Sequence, residues 1–175
     1  MHSPTQGLVK DVHSTFRERS GKNTKEVIIG RQFLTAMLTH VQNINPTMAW
    51  LHIAHSRGGA TTYNIIQGMT DEQKALVKDS MYFLGLGSAQ PMPLEFGRKV
   101  TNVYSQQDFI TRGFALKYRS DPNYDIQFVR CASRWGERTA YIADHARLGK
   151  TYSEVQEDYI LNLKQIRGFH NVNLP

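Results

Sequence analysis

The sequence predicts an α/β fold in which a mainly parallel sheet is flanked by helices. Three observations carry this expectation. Stretches with helical spacing and short apolar runs are interleaved along the chain and not segregated into separate halves. The short runs are apolar on both faces, as strands covered on both sides require. The order reads helix, strand, helix, strand, strand, strand, helix, with no internal repeat and no low-complexity stretch. A chain of 175 residues fits one domain with room for a core. The expected division is a flexible lead-in over residues 1–22 and a single domain over residues 23–175.

Residues 1–21 are polar and poorly periodic, with at most a short helix over 8–16. From Asn23 the pattern changes: Val27, Ile28, Phe33, Leu34, Met37, Leu38 and Val41 recur at helical spacing. This helix should stop near residues 43–45, because Pro46 disfavours helical geometry in the residue before it. Residues 48–54 form a short, mainly apolar run consistent with a buried strand, ending abruptly in His55-Ser56-Arg57-Gly58-Gly59. Helical spacing resumes over 60–69, and Thr70-Asp71-Glu72 opens a further helix through about residue 78. Residues 81–87, 99–105 and 124–131 read as the second, third and fourth strands. The last element, over 151–167, is an amphipathic helix with Val155, Tyr159, Ile160, Leu163 and Ile166 on one face and Gly168 as terminator.

Composition narrows the function classes. At 40% hydrophobic and 21% charged residues, the chain has an ordinary globular balance. No apolar run approaches the roughly 20 residues that span a bilayer. Residues 1–7 carry neither the basic nor the apolar region of a signal peptide, which leaves cytoplasmic and exported locations both open. Cys131 is the single cysteine, excluding an internal disulfide framework and any multi-cysteine zinc site. It falls in the fourth predicted strand and reads as a packed thiol. The net charge of +6 is scattered, without a basic cluster or basic-aromatic stripe, so no nucleic-acid partner is expected. Gly85-x-Gly87 lacks the third glycine and the acidic residue of a dinucleotide fingerprint. No cofactor and no metal are expected; a zinc site from His52, His55 and His145 would need residues 52 and 55 to converge across the turn.

The chemistry concentrates at Ser56. A nucleophilic serine between a strand end and a helix start needs a sharp turn with small neighbours, the pattern Gly-x-Ser-x-Gly. Here the sequence is Ala54-His55-Ser56-Arg57-Gly58, with alanine in the first glycine's place. Such a turn exposes the hydroxyl above the sheet and offers the Arg57 backbone N–H, at a helix N-terminus, as an oxyanion donor. The competing reading makes Ser56 a helix N-cap.

His55-Ser56 followed by Gly58-Gly59-Ala60 resembles the elbow of lipases and esterases in the α/β-hydrolase superfamily. That resemblance implies a Ser–acid–His chain order and hydrolysis through an acyl-enzyme. Downstream of Ser56 the histidines are His145 and His170. His145 falls between the last strand and the last helix, where the superfamily places its base, and His170 lies past the last helix. Asp108, in a polar turn directly after the third strand, is the expected acid, with Asp144 and Asp125 as alternatives. The segment from Gly85 through Ser88 to Pro91, then Phe96-Gly97, the strand Val100 to Val103 and Asp108 is similar to the middle of a class 3 type lipase. The 52 residues from Ser56 to Asp108 leave no room for a large lid.

The expected triad is therefore Ser56, Asp108 and His145, with an ester or lipid as substrate. Trp135 is a candidate for lining an acyl pocket and equally for shielding the core from a loop. Against the complete superfamily pattern the chain lacks the strands before the elbow, hence the loop that supplies the second oxyanion donor. A reduced α/β-hydrolase fold of this kind exposes a sheet edge, for which a missing N-terminal portion or self-association is the expected cover. The alternative function is a non-catalytic, hydrolase-like module that binds a partner or a lipid surface through that edge and its basic face.

Overall fold

The computed structural model describes residues 8–21, 23–45, 47–130 and 150–164. Its centre is a four-stranded, all-parallel sheet in the order β1-β2-β3-β4: β1 (Trp50–His55), β2 (Met81–Leu86), β3 (Lys99–Ser105) and β4 (Ile126–Val129). The helices are α1 (Leu8–Arg19), α2 (Lys25–Ile44), α3 (Arg57–Gln67), α4 (Asp71–Ser80), α5 (Phe109–Leu116) and α6 (Lys150–Lys164). This is the α/β architecture that the sequence predicts.

Local chemistry explains most boundaries. Thr24 caps α2 by accepting the Val27 N–H, and the helix ends at Ile44, just before Pro46. Thr70 and Gln73 form a reciprocal capping box that starts α4. Residues 8–19, part of the lead-in read from the sequence, form α1, whose Glu18 is buried against α3. α5 has no counterpart in the sequence reading, which passes from the third strand to the fourth without a helix.

Strand alternation divides the core into two layers. Met81, Phe83 and Val100 face α2, α3 and α4, and pack with Val27, Leu34, Leu38, Ile66 and Val77. Tyr82, Leu84, Leu86 and Val103 face α6, where Tyr152 and Leu163 are buried. α2 and α3 approach closely at Gly30, where a Cβ would collide with the side chain of Ile65. α6 begins at the carboxyl ends of the strands, where Tyr152 meets Ser105, and runs back toward Tyr82 near the amino end of β2. Among the described residues, β1 is an edge strand, and no helix is long and apolar enough to cross a membrane.

Candidate active site

Ser56 follows β1 directly and precedes the first residue of α3. Its backbone adopts φ 52° and ψ −123°, and among the described residues no other non-glycine has positive φ. A side chain in that region is strained by roughly 1–3 kcal/mol, a state that persists only when the surroundings enforce it. Three hydrogen bonds do so. The Ser56 N–H donates to Leu86 O at 3.2 Å, and Ser56 O accepts from Ala89 N–H at 2.8 Å and Gly59 N–H at 3.2 Å. The serine is thereby fastened to the end of β2. Its side chain makes no capping hydrogen bond to α3, unlike Thr24 and Thr70 at their helices. An ordinary N-cap needs neither this backbone nor this omission.

The small residues around the turn have different duties. A Cβ on Gly59 would lie 2.5 Å from Ser88 Cβ and 3.0 Å from Gln90 O, so the first turn of α3 fits against the β2–β3 connection only without a side chain there. A Cβ on Gly58 would stand 3.9 Å from the Ala54 Cβ, an ordinary contact. Close approach is thus concentrated at Gly59, while Ala54, buried where the motif has glycine, is accommodated. Arg57 opens α3, so its backbone N–H belongs to the helix's N-terminal donors. Its guanidinium turns toward α1 and bonds Glu18 Oε1 through Nη2 at 2.8 Å and Nε at 3.2 Å.

Asp108 lies three residues beyond β3, fully buried. Its Oδ1 accepts the Thr111 N–H at 3.1 Å; its Oδ2 accepts the hydroxyls of Thr111 at 2.7 Å and Tyr152 at 2.8 Å. These donors favour the charged carboxylate. The bond to Thr111 N–H also makes Asp108 a cap for α5, a structural duty that is compatible with orienting a base. Burial and the nearby Asp108 charge both push the Tyr104 phenol well above its ordinary range.

Ser56 and Asp108 stand on the same edge of the sheet, on either side of the β2 end. Ser56 is hydrogen-bonded to Leu86, and a Cβ on Gly87 would lie 2.8 Å from Asp108 Oδ2. Gly87 has φ 52°, a conformation suited to glycine, and donates its N–H to Val103 O. β1 and β3 are separated by two inter-strand spacings, about 9–10 Å between strand axes. The carboxyl edge of a parallel sheet is also where open α/β folds place their sites.

His145 lies outside the described residues, as do Cys131, Trp135, Asp144 and His170. His52 and His55 sit on opposite faces of the sheet. His52 stacks on Phe83 and shares a 2.9 Å hydrogen bond with Thr62 Oγ1, and burial pushes its imidazole down to about 4. His55 packs edge-on against Tyr152 on the α6 side. This split prevents the pair from sharing a metal. Among the described residues, no group of three His, Cys, Asp or Glu side chains is arranged to hold one. Asp125 lies at the other end of the sheet, its carbonyl accepting the Asn102 N–H before β4 begins.

Sequence reasoning misses three contributors: Glu18, Thr111 and Tyr152. Thr111 has a readable signal, since an aspartate three residues before a threonine at the start of a helix is a capping pattern. Glu18 and Tyr152 have none, for their partners lie 39 and 44 residues away. Searches against protein-family models and curated proteins find no match to this chain.

Proposed function

We propose that the protein is a serine hydrolase that cleaves carboxylic esters, lipid esters among them, through an acyl-enzyme. The observation that carries this reading is the positive-φ backbone of Ser56 at the strand-to-helix turn. Strain held by three hydrogen bonds needs a reason, and presentation of a nucleophile is one that the flanking groups fit. In this mechanism Ser56 Oγ attacks the ester carbonyl while His145 takes its proton, with Asp108 orienting the ring and balancing the imidazolium charge. The Arg57 N–H stabilises the tetrahedral oxyanion. Collapse expels the alcohol, which receives the proton from His145. Water, activated by the same imidazole, then releases the acid and restores Ser56.

The test is covalent labelling with a fluorophosphonate, followed by identification of the modified residue. Labelling at Ser56 that disappears in Ser56→Ala is expected. Equal labelling of both proteins sinks the proposal.

A second reading, a non-catalytic module that binds a partner, is favoured by the outer surface of α2, where Ile29, Phe33 and Ile44 are exposed. It predicts no fluorophosphonate labelling at all in a folded protein.

A further inference from the structure

Tyr152 stands where the turns after β1, β2 and β3 meet. Its hydroxyl donates to Asp108 Oδ2 at 2.8 Å and accepts the Ser105 N–H at 3.2 Å. Its ring packs edge-on against His55, the neighbour of Ser56, with centroids 5.8 Å apart. A Cβ on Gly87 would come within 2.6 Å of the same hydroxyl, so the absent side chain there leaves room for this meeting. The residue is fully buried. A buried tyrosine that needed only satisfaction could end on any carbonyl. This one ends on the carboxylate assigned as the acid.

The arrangement has a directional consequence. A carboxylate oxygen offers two in-plane acceptor positions, and Oδ2 already receives the hydroxyls of Thr111 and Tyr152. We propose, resting on the hydrolase reading above, that Tyr152 is a positioning residue for Asp108. By holding Oδ2 it fixes the rotation of the carboxylate that, in that reading, orients the base. In this role Tyr152 acts through Asp108. Its hydroxyl also withdraws charge from the carboxylate, which tempers the basicity of the imidazole that the carboxylate faces.

Tyr152→Phe tests this, since it deletes the hydroxyl and keeps the ring against His55. With p-nitrophenyl butyrate as substrate, kcat should fall about tenfold, as expected for losing a hydrogen bond to a charged group, with KM within about twofold. The acid limb of the kcat/KM profile should move to higher pH, because a less-solvated carboxylate favours the imidazolium. In an Asp108→Asn background the same change should cause no further loss. Thr111→Val, which removes the companion hydroxyl from Oδ2, should move the acid limb in the same direction and serves if Tyr152→Phe does not fold. A folded Tyr152→Phe protein with unchanged kcat and pH profile overturns the proposal. So does a loss that adds in full to that of Asp108→Asn, or, where Thr111→Val is the variant used, an acid limb that stays in place. Turnover that survives Ser56→Ala instead overturns the hydrolase reading on which it rests.

Discussion

The fully buried Glu18 and the half-buried Arg57 form an ion pair directly behind the serine turn: the carboxylate accepts from Nη2 at 2.8 Å and from Nε at 3.2 Å. Thr24 and Thr61 donate to the same carboxylate at 2.9 and 2.7 Å, which ties α1, the start of α2 and α3 together. Removing the partner of the fully buried Glu18 leaves an uncompensated charge, at about 3–5 kcal/mol, whereas Arg57 keeps a second carboxylate, Glu26, at 3.4 Å. Arg57→Ala should therefore destabilise on that scale in urea unfolding, and Glu18→Ala by less. The double variant should lose clearly less than the two singles summed. Additive losses below about 1 kcal/mol each, the range of exposed pairs, would place this pair at the surface in solution.

Ser56→Ala should abolish hydrolysis and leave thermal stability nearly unchanged, since the positive-φ backbone stays strained. Ser56→Gly should be equally inactive yet more stable than the alanine variant by about 1 kcal/mol, because glycine adopts that backbone freely. Calorimetry on the three proteins decides this. A glycine variant that melts below the alanine one argues against backbone strain at the turn.

Asp108 caps α5 and is also the assigned acid, and Asp108→Asn separates the two duties. Asparagine caps as well as aspartate but lacks the charge that stabilises the imidazolium. Asp108→Asn should stay folded and lose about 10³–10⁴ in kcat, whereas Asp108→Ala should lose both cap and activity. Wild-type kcat in a folded asparagine variant would leave Asp108 with capping alone.

Gly59→Ala should destabilise by about 1–3 kcal/mol, as overpacking against Ser88 and the Gln90 carbonyl forces backbone movement. Gly58→Ala, facing only the Ala54 Cβ at 3.9 Å, should be close to neutral. Chemical denaturation of the two variants measures the contrast, and the reverse order would relocate the close approach.

His52 links stability to pH. Burial lowers its pKa from about 6.5 to about 4 in the folded chain. Above about 6.5 the ring is neutral in both states and its contribution is complete. As pH falls below that value the unfolded chain takes the proton first, and stability is lost until the folded pKa near 4 is reached. Between pH 7 and pH 5 this amounts to about 2 kcal/mol. His52→Phe, which keeps a ring on Phe83, should flatten the stability difference between those two pH values by that amount. An unchanged difference would mean that His52 titrates normally.

Most of the element order was legible because its causes are local. The period of Val27, Leu34 and Leu38, the Pro46 stop, the Thr70 box and the apolar strand runs all operate within a few residues. β3 coincides with its predicted span, and β1 and β2 differ from theirs only at the ends. α5 escaped because its eight residues make only about two turns and include Gly113, too short a stretch to show a helical period; Phe109 and Leu116 are in fact exposed.

The amino-acid sequence alone determined the alternation of helices and strands, the turn chemistry around Ser56 and the placement of Asp108 after a strand. Periodicity, small residues and chain order carry that information without help from distant partners. Tertiary structure alone decided that β2 lies between β1 and β3, that Ser56 is driven to φ 52°, and that Glu18 and Tyr152 reach the turn and the carboxylate. The serine turn is held by bonds to Leu86 and Ala89 on the neighbouring strand's end, and Glu18 and Tyr152 reach their partners across chain loops of 39 and 44 residues. No local pattern encodes which distant partner closes such a loop, so the strained serine and its supports emerge only when the sheet and its flanking helices assemble.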